Sequence, residues 1–194
     1  MGVVFKFDID KAIAATIYIA SRNPTELTQA KLFKLLYFAD KDHLVRYCRP
    51  ITGDWYTAMK DGPVPSNLYN AFNEIGRAKN ENAKRLAKSI SLDKTFQYPR
   101  LQITGRLDSL QLSLSDTQSL DRILDRYGNM SFSQLRRIAH DTTAYDNAWG
   151  KKPETQDAFP MTFEDFFEDD ENALSGVKEE MIENDSLRKT FEGR

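Results

Sequence analysis

The sequence predicts a mainly α fold, α+β by strict count. It has about five to seven helices, a small β-hairpin and an acidic C-terminal segment. Three observations lead there. Apolar residues recur three and four apart over most of the chain, between Ser, Thr or Asp caps and Gly or Pro stops. Period-two alternation is confined to a short run, Leu110, Leu112 and Leu114. The chain has 194 residues, 40% apolar and 11% aromatic, enough for one core without staples and too apolar for general disorder.

Asp8 or Asp10 caps a first helix to about Ser21, with Ile9, Ile13 and Ile17 in one stripe, and Asn23-Pro24 stops it. Thr28 caps a longer helix to about Tyr47, ended by Arg49-Pro50. Its inner face is Leu32, Leu35, Leu36 and Ala39, widened by Phe33 and Tyr37. Lys31, Lys34, Asp40 and Lys41 are assigned to its wet side. Residues 55–59 read as a short extended piece and Asp61-Gly62-Pro63 as a turn. Ser66 caps a third helix bearing Leu68, Tyr69, Phe72 and Ile75, with Gly76 after it. Residues 77–94 are polar, with a helical stretch over 83–88. Residues 96–104 and 109–114 then suggest a hairpin around Gly105. Ser115 with Gln118, and Ser131 with Gln134, read as capping boxes for two helices, and a last helix covers 144–149.

The net charge of −2 is unevenly spread: residues 150–194 carry −7 and residues 1–149 carry +5. With Gly150-Lys151-Lys152-Pro153 as a break, this divides the chain into a helical domain, 1–149, and an acidic extension, 150–194, helical or partly disordered. No global basic field exists to hold nucleic acid. No apolar run is long enough to span a membrane, and a cytoplasmic location is expected.

Catalytic and metal-binding patterns are sparse. One cysteine and two histidines preclude an internal disulfide and a usual Cys/His zinc site. His43 and Cys48 diverge on one helix, so Cys48 reads as structural. His140-Asp141 could orient an imidazole, but no serine or cysteine carries a nucleophile motif. Asp165, Glu168, Asp169 and Asp170 lack the spacing of a calcium loop and read as a solvated acidic face. Two clusters suit contact instead. Trp55 and Tyr56 beside residues 60–65 are either a core cluster under a turn or an aromatic patch for a partner. Phe163, Phe166 and Phe167 interleave with Glu164 and Asp165, so this segment either folds back on the basic body or packs on a partner.

Several ordered segments carry a resemblance. Residues 30–40 (AKLFKLLYFAD), Arg49-Pro50-Ile51, Trp55, Lys60-Asp61-Gly62-Pro63-Val64 and Ser66-Asn67-Leu68-Tyr69 resemble the Panacea domain, also described as the SocA-like antitoxin domain. Residues 124–128, 131–135, His140-Asp141 and 145–149 resemble its closing block, so the likeness spans roughly residues 8–149. Phe33 stands where glutamine is usual in the family, and Asp61 where tyrosine is.

The resemblance implies an antitoxin, not an enzyme, that uses no cofactor and neutralises a cognate protein toxin by direct contact. One branch of the family implies an adaptor that delivers its toxin to a Clp-type protease. The contact residues expected on this reading are Trp55, Tyr56, Asp61, Tyr69 and His140 on the body, with Phe163, Asp165, Phe166 and Phe167 on the acidic segment. A small hydrolase or transferase using His140 is the reading from a different class.

Overall fold

The computed structural model describes residues 5–22, 27–77, 80–167 and 179. The acids Glu168, Asp169 and Asp170 lie outside the described residues.

The fold is organised around α2 (Gln29–Tyr47). Its start is set by the Thr28 hydroxyl, which accepts from the Lys31 N–H at 3.2 Å. Its end is set by Cys48, which adopts a left-handed φ of 57° and donates its N–H to the Leu44 carbonyl. Leu32, Phe33, Leu35, Leu36, Tyr37, Phe38, Ala39 and Leu44 are all buried, so apolar side chains leave this helix in every direction. Such a helix must be wrapped on all sides. It packs on α1 (Ile9–Arg22), α5 (Leu114–Tyr127), α6 (Phe132–His140) and strand β2 (Gly62–Pro65).

That wrapping overturns the wet side assigned to α2. Lys31, Lys34 and Asp40 are buried, at 5%, 1% and 0% exposure. Each reaches a partner that only the tertiary fold supplies. Lys31 Nζ donates to the Gly128 carbonyl at 2.7 Å and Lys34 Nζ to the Pro63 carbonyl at 2.8 Å.

Strand β1 (Tyr56–Met59) pairs antiparallel with β2, Met59 opposite Gly62, so Lys60 and Asp61 form a two-residue loop. The expected turn is therefore a full hairpin. Strand β5 (Ala158–Pro160) pairs antiparallel on the other side of β1, giving the order β2-β1-β5. Helix α3 (Ser66–Asn73) follows β2 directly. Ser66 is its first residue rather than its cap. The capping acceptor is Asp54, which takes the Asn67 and Leu68 N–H groups at 3.0 and 2.9 Å.

A second sheet pairs β3 (Ile90–Asp93) with β4 (Arg100–Ile103), following α4 (Glu81–Ala87). The expected hairpin between residues 96–104 and 109–114 does not form. Residues 109–111 make a 3-10 turn, started by the Asp108 carboxylate accepting from Leu110 N–H. The capping box of α5 is Ser113 with Asp116, two residues before the expected Ser115 and Gln118. These two local caps outweigh the alternating Leu110, Leu112 and Leu114: Leu112 is buried, while Leu110 and Leu114 are 92% and 75% exposed. The box at Ser131 and Gln134 forms as expected at the start of α6.

Helix α7 (Thr143–Gly150) leads into β5 and a 3-10 turn at Glu164–Phe167. Residues 158–167 are therefore built into the body. Met161, Phe166 and Phe167 join the main core, and Phe166 meets Tyr37 and Tyr56 with ring centroids 5.4 and 5.9 Å apart.

Candidate interaction site

Three buried carboxylates hold the frame. Asp40 accepts from Ile51 N, Thr52 N, Thr52 Oγ1 and Tyr56 OH, at 2.7, 3.1, 2.8 and 2.8 Å, and so ties the loop after α2 to the helix. Burial raises its pKa despite these bonds. Asp54, capping α3, is pushed up to about 6, by burial above all. Asp116 joins three elements. Lys11 and Arg49 approach it at 2.9 Å each, His43 Nε2 at 3.1 Å, and the Ser113 N–H donates at 2.9 Å. Burial alone would raise the Asp116 pKa. The close approach of His43, the hydrogen bonds from Lys11 and Ser113 and the Arg49 charge outweigh it and hold the group well below the usual carboxylate range.

On this frame a groove of about 480 Å³ opens between the start of α2, the β1–β2 hairpin, Tyr69 of α3, the Tyr98-Pro99 loop and the start of α6. Phe33 forms the floor, with Tyr69 edge-on at 6.1 Å. Tyr98 and Phe132 form the opposite wall, 4.7 Å apart. Aromatic rings give large contact area at little conformational cost, so such a lining suits recognition of an apolar side chain.

Beside the rings lies a polar cluster under the hairpin turn. Asp61, half-exposed at the groove's rim, lies 3.0 Å from Arg136 Nε in an ion pair, and Arg136 also donates to the Lys60 carbonyl at 3.2 Å. Arg136 Nε and His140 Nε2 are buried and have no hydrogen-bond partner among the described residues. His140 stacks on Tyr145 at 4.3 Å, and Tyr145 donates to the Met59 carbonyl at 2.9 Å. Gly62 sits against both Lys34 and His140. Its φ is +100°, and a Cβ there would lie 2.8 Å from Lys34 Cε, so only glycine fits.

Electrostatics follow from this crowding. Burial lowers the Lys34 pKa to about 7; Asp61 pulls it up and Arg136 pushes it down. Burial, then Arg136 and Lys34, lower His140. Burial raises Tyr145 to about 12.

The expected contact residues divide into four groups. Asp61 and Tyr69 line the groove, and His140 lies just beneath its hairpin wall. Trp55 is 45% exposed but is not part of the groove lining. Tyr56, Phe166 and Phe167 are core residues, so they can support a contact surface but do not form one in this conformation. Phe163 is half-buried against Phe5, 5.2 Å away, and Asp165 accepts from Asn147 Nδ2 and Thr162 Oγ1 at 2.9 and 2.6 Å. Sequence reasoning missed Lys34, Tyr98, Phe132 and Arg136. For Lys34 a signal existed: a helix apolar on every side has no wet face, so its charged residues must be partnered. Tyr98 and Phe132 stand 34 positions apart, and no local pattern joins them.

Fold and groove together define a small, mainly helical domain with two short antiparallel sheets and an aromatic-lined recess. The chain belongs to the antitoxin SocA-like, Panacea domain family, whose model matches residues 32–146, more than half of the chain. The match takes in α2 from Leu32 onward, the β1–β2 hairpin, α6 and the polar cluster, and ends before β5. Comparison with curated proteins and with solved structures gives no match. Among the described residues, no helix is long and apolar enough to cross a membrane.

Proposed function

We propose that this protein is the antitoxin of a toxin–antitoxin pair and neutralises a cognate protein toxin by direct binding, without catalysis. The observation that carries this reading is the family match, which spans most of the residues that line the groove. The groove's chemistry supports it, since rings of restricted freedom beside an ion pair are typical of contact surfaces. His140 suits a supporting role better than an acid–base one, because its Nε2 is sealed off and its ring is stacked on Tyr145.

The test is co-expression. The product of the adjacent open reading frame should arrest growth alone and permit it when this chain is present. Arrest that persists with the antitoxin folded and abundant refutes the reading.

A further inference from the structure

The polar cluster beside the groove has more donors than acceptors. Lys34 Nζ makes one hydrogen bond, to the Pro63 carbonyl. Arg136 Nε faces Asp61 at 3.0 Å without an aligned hydrogen bond, and His140 Nε2 has no partner among the described residues. Among the described residues, Asp61 is the carboxylate whose charge bears on both Lys34 and Tyr145, and it also bears on His140, where Asp141 contributes more weakly. Its one direct contact among the described residues is the ion pair with Arg136. Asp61 and Arg136 are also the reachable members, with side chains 50% and 40% exposed. A pair at a rim can be exchanged at little cost, because solvent already screens it. Immediately beside it the aromatic floor and wall offer an apolar seat.

We infer that the groove receives a short segment of the toxin in which an apolar or aromatic side chain stands next to a carboxylate. The apolar side chain seats among Phe33, Tyr69, Tyr98 and Phe132. The carboxylate takes Arg136 from Asp61, which swings to solvent. This rests on the antitoxin reading above and gives it a surface and a partner chemistry. Lys60 and Arg136 at the hairpin favour the approach of such a segment, with Asp157 the opposing charge in the lining.

The experiment measures binding of the full-length chain and three variants to the product of the adjacent open reading frame, by calorimetry at two salt concentrations. Thermal melts confirm that each variant folds. Arg136→Glu should weaken binding at least tenfold. Tyr98→Ala should do the same with little salt dependence. Asp61→Asn should tighten binding, because it removes the carboxylate that competes for Arg136. Leu110→Ser, on the exposed 3-10 turn, serves as the control. Folded Arg136→Glu and Tyr98→Ala variants that bind like the parent overturn the site. A tenfold loss in Asp61→Asn also overturns it, since the occupant would then be cationic. If the parent chain itself does not bind, the antitoxin reading falls and this inference falls with it.

Discussion

Truncating Phe166 to alanine measures how far the C-terminal segment belongs to the body. Phe166 lies beyond the family match, yet it is 1% exposed and wedged among Tyr37, Tyr56 and Phe163. A fully buried Phe→Ala change costs about 3–5 kcal/mol in transfer and cavity terms. The three edge-on or tilted ring contacts place this site toward the upper part of that range. For a chain of this size, each kcal/mol lowers Tm by about 2–4 °C, so a fall of about 8–16 °C is expected. Urea unfolding followed by far-UV circular dichroism gives the free energy directly. Fluorescence from Trp55 and Trp149 tests whether the transition stays cooperative. A loss below about 1 kcal/mol would refute the reasoning, because the segment would then be an appendage to a body that folds without it. The same logic applies to a truncation after Gly150. That removes β5 together with Met161, Phe166 and Phe167, so residues 1–150 should fail to fold cooperatively rather than report on the acidic end alone.

Two further outcomes follow from the buried charges. Asp116→Asn strips the shared counter-charge from Lys11 and Arg49 and should cost about 3–5 kcal/mol near neutral pH. Because the native pKa lies below the unfolded one, the Asp116 contribution is present above about pH 4 and is lost as pH falls. The gap between parent and variant in denaturant melts should therefore narrow in acid. Lys34 shifts in the same direction, but here it is the charged form that burial penalises. Its native pKa of about 7 is below the ordinary lysine value, so the unfolded chain holds the proton between pH 7 and 10 and stability rises across that window. Lys34→Met should remove a rise of about 3 kcal/mol over that range, read from urea midpoints at fixed ionic strength. Parallel pH profiles for the parent and Lys34→Met would rule out a buried, deprotonating amine.

Much of the local structure was legible because it depends on near neighbours. Thr28, Ser131 with Gln134, and the Ile9, Ile13, Ile17 stripe act within one or two helical turns, and each appears where expected. Errors arose where two local signals competed. The alternation at Leu110, Leu112 and Leu114 is a strand signal, but Asp108 and Ser113 satisfy backbone N–H groups at once, and a strand there would have needed a distant partner. The groove was legible only at Asp61 and Tyr69. Its opposite wall, Tyr98 and Phe132, comes from the loop after β3 and from α6, which local periodicity cannot bring together.

The amino-acid order by itself determined the helices, the caps at Thr28 and Ser131, the glycine at the hairpin turn and the motifs that carry the family likeness, because all of these rest on interactions a few residues long. The tertiary structure decided which charges are buried, where Asp40, Asp54 and Asp116 find their donors, and that residues 158–167 complete the core. It also decided that Phe33, Asp61, Tyr69, Tyr98 and Phe132 share one groove. Those outcomes depend on wrapping every side of α2. Desolvating a charge or a ring is favourable only when a distant element arrives to pair with it, and no local rule specifies which element that is.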